Sequence, residues 1–165
     1  MAKKLNEIQK AFDDLQKKVG DQAEKLTKIN TNFWQHNGML FQGLDMLDER
    51  VVELQKQGKK GTTVNDFMDD EDIKAFVKGV DDCKKFCRKE SDQYYTEVEK
   101  LKKLKSDLDK LAKDADDVLK ARKFKISKSK GALKAVSSQI KTFSVDTDSV
   151  ISEGGPHKSD HKLLN

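Results

Sequence analysis

The stretch IKAFVKGVDDCKKFCRKESDQYYTEVEKLKKLKSDLDKLAKDADDVLKAR, residues 73–122, decides the fold. Within it Ile73, Phe76, Val80, Cys83, Cys87, Glu90, Tyr94, Glu97, Leu101, Leu104, Leu108, Leu111, Ala115, Val118 and Arg122 follow one another in alternating steps of three and four. A mean step of about 3.5 residues keeps these side chains on one seam of an α-helix, the pattern of a coiled coil. Only Glu90, Glu97 and Arg122 are charged members of the ladder. The spacing predicts a helix over about 66–123, roughly 80 Å or more in length.

The same ladder runs upstream. Leu5, Ile8, Phe12, Leu15, Val19, Gln22, Leu26, Ile29 and Phe33 form a first run with one polar defect, Gln22. Asn37, Leu40, Leu44, Leu47, Val51 and Leu54 form a second. The step from Phe33 to Asn37 is a stutter, which unwinds a supercoil locally without ending it. A first helix over about 4–57 follows. Between the two helices lies Gln57-Gly58-Lys59-Lys60-Gly61-Thr62-Thr63, the clearest break in the chain. Gly58 suits a left-handed helix end. Thr63 with Asp66 suits a helix start. Asp66, Asp69, Asp70, Glu71 and Asp72 place carboxylates near that start, where the helix dipole favours them.

Two helices of matched length joined by a short loop predict an all-α fold, a long antiparallel coiled-coil hairpin. The register sets Leu5 against the Val118 region, His36 and Asn37 against Phe86 and Cys87, and Phe33 against Glu90. Past Arg122 the phase changes. Residues 123–131 read as a basic bend, and Leu133, Val136, Ile140 and Phe143 mark a short amphipathic third helix over about 131–144. The chain then turns polar, and Gly154-Gly155-Pro156 reads as loop. The organisation is a coiled-coil hairpin over 1–123, a basic linker with a short helix over 124–144, and a flexible polar tail over 145–165.

Composition agrees. Of 165 residues 38% are charged and only 35% hydrophobic, with one proline, too little apolar content for a doubly wound sheet, barrel or sandwich. No run is long and apolar enough to span a membrane. Cys83 and Cys87, four apart on a helix, are poorly placed to form a disulfide with each other and read as core-filling thiols. The start Met1-Ala2-Lys3-Lys4-Leu5-Asn6-Glu7 has no apolar run after its basic residues, as a secretory leader would. Both features point to the cytoplasm, or to a particle assembled there. Phosphate-binding loops, dinucleotide turns, metalloprotease motifs and nucleophile elbows are all missing. His157 and His161 around Asp160 lack further ligands. The sequence therefore predicts no enzyme, no cofactor and no metal.

The middle of the first helix stands apart. From Ile29 to Leu44 there is no formally charged residue. Phe33, Trp34, His36, Met39 and Phe41 lie in this stretch, and aromatic and methionine side chains typify interface centres. Three readings stand for this surface: cover by the third helix, contact with another chain, or a small-molecule pocket. Glu90 and Glu97, at seam positions, require water or a polar partner, and His36 is placed to supply one to Glu90.

Charge is segregated. Residues 61–73 carry five acidic side chains and no basic one, whereas 118–145 carry eight basic and no acidic ones. Lys120, Arg122, Lys123, Lys125, Lys128 and Lys130 form the candidate contact for an anionic partner. The first functional reading is a non-enzymatic assembly part of a virion, secretion apparatus or adaptor complex, partnered by itself or by another helical protein. The alternatives are a nucleic-acid or anionic-membrane binder acting through 118–134, and a chaperone or regulator that receives a partner helix.

Overall fold

The computed structural model describes residues 5–121 and 127–153, with side chains described over 5–120 and 130–152. It is all-helical among these residues: α1 (Leu5–Lys56), a 3₁₀ turn (Val64–Phe67), α2 (Glu71–Ala121) and α3 (Ser127–Glu153). The long antiparallel pair α1 and α2 is the predicted hairpin, and its bounds lie close to those the ladder implies. Two compact units divide the chain, one built from the first part of α1, the last part of α2 and α3, the other from residues 28–94.

In the first unit three helices share one core. Ile8, Phe12, Val19 and Leu26 of α1 are buried, as are Leu101, Leu108, Leu111, Ala115 and Val118 of α2 and Leu133, Val136 and Ile140 of α3. The polar defect Gln22 is resolved here. Its amide Nε2 donates to the Glu97 carboxylate at 2.6 Å and to the Glu97 carbonyl at 2.8 Å. Two seam positions that each looked costly alone thus satisfy one another across the hairpin. The Gln22 amide foremost, and then Lys100, hold the Glu97 carboxyl below its ordinary range.

The third helix runs to Glu153, not to about 144. Its seam continues past Phe143 in small polar residues. Ser144 and Thr147 are 4% and 2% exposed. Ser144 donates its hydroxyl to Asp109, and Thr147 donates to the Phe143 carbonyl at 2.8 Å. Ser137 donates to Asp116 at 2.7 Å, and Lys141 pairs with the same carboxylate at 2.8 Å. An edge-to-face contact between Phe12 and Phe143, with centroids 5.8 Å apart, completes the docking. Ser144, served by Asp109, and Thr147, served by the Phe143 carbonyl, carry the buried face into a stretch that composition alone assigns to a tail. The tail over 145–165 is thus helical to Glu153, while 154–165 lies outside the described residues.

The second unit is a two-helix hairpin. Phe33, Leu40, Leu47 and Leu54 recur every seven residues on α1, and Ile73, Val80 and Cys87 do so on α2. All are buried and form one cluster with Val51 and Phe67. Gly43 lets the helices approach closely, since a Cβ there would lie 2.8 Å from Val80 Cγ2. At the end of α1, Gly58 takes the left-handed conformation (φ 84°), and Lys59 N donates back to the Leu54 carbonyl. The capping residue Asp66 starts the 3₁₀ turn rather than α2. Its carboxylate accepts from Thr62 N and Thr63 N at 2.9 and 3.0 Å. This tight turn delivers Phe67 into the core, 4% exposed. Asp70 then restarts the chain as the N-cap of α2, accepting from Ile73 N at 3.1 Å. The connection is longer than the sequence implies, and the predicted pairing of His36 with Phe86 is present. Cys87, not Glu90, comes up to Phe33, its thiol 4.0 Å from the Phe33 carbonyl.

Asp70 also clamps the hairpin. Arg50 Nε and Nη2 donate to its two oxygens at 3.1 and 3.0 Å, a bidentate fork. This pairing, foremost, holds the Asp70 carboxyl down at about 2. A depressed carboxylate contributes stability that is complete above its ordinary value and lost as pH falls through the folded value. Asp70→Asn is therefore expected to lower stability at neutral pH. The gap between variant and parent should narrow as pH falls from about 3.8 to about 2. Denaturant titrations across that range check this, and a gap independent of pH would contradict it.

Candidate interaction surface

The residues singled out in 29–44 do not share one fate, because the helix turns them to different sides. Phe33 is fully buried. It belongs to the hairpin core and is removed from the candidate interface. Trp34, Met39 and Phe41 are 42%, 51% and 54% exposed. The Trp34 ring meets the Phe33 ring edge-to-face at 5.2 Å. His36 is half-buried, its Nδ1 lying 2.8 and 3.0 Å from the two oxygens of Glu90. Its ring stacks on Phe86 at 5.1 Å and 19°. The polar partner expected for Glu90 is thus in place.

These positions follow from the seam. In this unit one seam row of each helix is fully closed against the other helix, while the second row is covered only in part. The row Phe33, Leu40, Leu47, Leu54 is closed, whereas Leu44, in the other row, is 38% exposed. On α2 the row Val80 and Cys87 is closed, while Phe76 and Cys83 are only half-buried. The half-open rows lie on opposite sides of the hairpin. On one side stand Trp34, Phe41 and Leu44. On the other, Met39, Gly43, Met46, Phe76, Gly79 and Cys83 border a hollow of about 240 Å³, with Phe86 and His36 further along the same side. Of the ten large hydrophobic side chains left exposed among the described residues, eight belong to residues 28–94. The unit that receives α3 exposes two, Val145 and Val150.

Cover of 29–44 by the third helix is corrected by these contacts. α3 engages Phe12, Asp109 and Asp116, and Trp34, Met39 and Phe41 stay open. Met46 and Gly79 escape the sequence reading because they stand beside the ladder rather than on it, and Phe86 enters it only as the neighbour of His36. Their signal was the seven-residue spacing from Met39 to Met46 and from Gly79 to Phe86.

The chemistry offered here is apolar contact. Both cysteines are free thiols. Burial foremost pushes the Cys87 thiol up to about 11 and raises that of Cys83, which opposes the thiolate form that redox and metal chemistry need. Among the described residues no cluster of three or more His, Cys, Asp or Glu side chains is placed to hold a metal ion. None of their helices is long and apolar enough to cross a membrane. In the basic segment Lys120 and Lys130 are exposed. Arg122, Lys123 and Lys125 lie outside the described residues, as does the side chain of Lys128. No protein-family model matches this chain, and no curated protein or solved structure is significantly similar to it.

Proposed function

We propose that this chain is a non-enzymatic assembly component that associates with copies of itself through the hairpin of residues 28–94. The half-open seam of that unit carries the reading. Trp34, Met39, Phe41, Leu44, Met46 and Phe86 are all 38% exposed or more, in and around a stretch without formal charge. Apolar side chains exposed on either side of the hairpin of a charged chain are stabilised by leaving water. The first unit meets that need with its own third helix, and another chain meets it for the second.

Light scattering after size exclusion tests this. The expected result is a mass above the 18.8 kDa of one chain, rising with concentration. Trp34→Ala should weaken association by more than about 1 kcal/mol, roughly fivefold in dissociation constant, with helicity unchanged. A mass of one chain up to the solubility limit would refute the reading.

A further inference from the structure

We infer that the hollow between α1 and α2 on the Met39 side of the 28–94 hairpin receives a basic amphipathic helix of a partner protein. This goes beyond self-association, which the opposite side, with Trp34, can carry without it.

The shape calls for a helix. The hollow of about 240 Å³ between Met39, Met46, Phe76 and Gly79 continues past Met46 and Phe76 into a second one of about 210 Å³, lined by Glu49, Arg50, Glu53 and Asp72. Together they form a groove along the hairpin. From Asp72 to Phe86 it follows α2 for fourteen residues, about 21 Å, the length of a four-turn helix. The apolar stripe of an amphipathic helix fits such a groove, with anchors at positions i, i+3 or i+4, and i+7. Met39 and Met46 are unbranched and polarizable, so they adapt to the side chains that enter. A Cβ at Gly79 would meet nothing within 4 Å. A glycine inside a helix is unfavourable relative to alanine, and nothing in its own unit requires one there. An incoming helix that packs closely uses the room.

The charge names the class of partner. Glu49, Glu53 and Asp72 line the groove together with Arg50. Arg50 does not cancel them, because its fork is held by Asp70 at 3.0 and 3.1 Å. The same guanidinium also reaches Glu53 at 2.9 Å and Asp72 at 3.5 Å. One cation is thus set against four carboxylates, Glu49, Glu53, Asp70 and Asp72. Helical spacing adds Asp82, three residues past Gly79, while Lys56 and Lys89 stand at the two ends of the groove. The balance is local: residues 28–94 carry thirteen acidic and eleven basic side chains, in a chain whose net charge is +4. Lysines and arginines flanking an apolar stripe complement this rim, whereas an anionic helix would be repelled by it. The same hairpin of a second copy brings the same acidic balance and gains nothing from the rim.

Two synthetic peptides of about 18 residues test this, one of leucine and lysine patterned as an amphipathic helix, the other with glutamate in place of lysine on the same apolar face. Titration calorimetry against the full chain is expected to show one leucine–lysine peptide bound per chain, with affinity falling as salt is raised to about 0.5 M, and no binding of the leucine–glutamate peptide. Met39→Gln with Gly79→Gln fills the groove, and Glu49→Gln with Glu53→Gln removes part of its rim. All four positions are exposed, so helicity by circular dichroism should match the parent. The first pair should weaken binding at least tenfold, and the second should weaken it and flatten its salt dependence. Trp34→Gln with Phe41→Gln, on the other side, should leave binding unchanged. Equal binding of both peptides, unaltered affinity in the filled groove, or no binding up to about 1 mM would overturn the proposal. Binding confined to the chain carrying Trp34→Gln with Phe41→Gln would overturn it in favour of a second copy in the groove. None of these outcomes depends on whether the parent self-associates, which its mass reports separately.

Discussion

Phe33→Ala is expected to destabilise the hairpin of residues 28–94 by about 3–5 kcal/mol. The side chain is fully buried at the centre of a core that only two helices and one 3₁₀ turn supply. With so few layers the hole has little around it that can collapse inward, and the Trp34 ring loses the neighbour it meets at 5.2 Å. The loss is a large part of the 5–15 kcal/mol that holds a typical domain together. Guanidinium titration followed by circular dichroism measures it. Trp34→Ala, one residue away and 42% exposed, supplies the contrast. Its effect on folding should stay well below that of Phe33→Ala, while its effect on association should be larger than on folding. Equal effects of the two substitutions on folding would contradict the assignment of one residue to the core and its neighbour to the surface.

Thr147→Pro is expected to cost about 3 kcal/mol or more. Thr147 is 2% exposed inside α3, where its hydroxyl donates to the Phe143 carbonyl. A proline removes a helical N–H, drives its ring against the preceding turn and breaks the helix beside Ser144, whose hydroxyl serves Asp109. Ser144 foremost, with Lys105, holds the Asp109 carboxyl below its ordinary range, so the damage reaches α2 as well. Thermal unfolding measures the effect. A flexible tail from residue 145 onward would tolerate proline with no change, and that result would remove the last part of α3.

These two substitutions mark where the fold could be read from residues and where it could not. The long helices were legible because large apolar side chains announce their seam at every third or fourth position. The third helix was legible only as far as Phe143, because beyond it Ser144 and Thr147 take the seam, and hydroxyls signal burial only when their acceptors are known. Glu97 and Gln22 each looked like a defect, since a partner 75 positions away is invisible to local spacing. The Arg50–Asp70 clamp was hidden for the same reason: five neighbouring carboxylates read as a dipole effect, while one of them reaches back across the turn. In the candidate surface, residue type singled out a stretch but not which side of the helix each of its residues takes. Phe33 and Trp34 are equally plausible anchors by composition, and a rotation of about 100° between them separates core from surface.

Trp34 is the only tryptophan in the chain, so its fluorescence reports on one place, the surface on which the account depends. Emission followed from dilute to concentrated protein, alongside the mass, is the most direct test. The account predicts a blue shift that grows with concentration in step with the mass, as the ring leaves water for a neighbouring chain. Emission that stays solvent-like while the mass rises would contradict it.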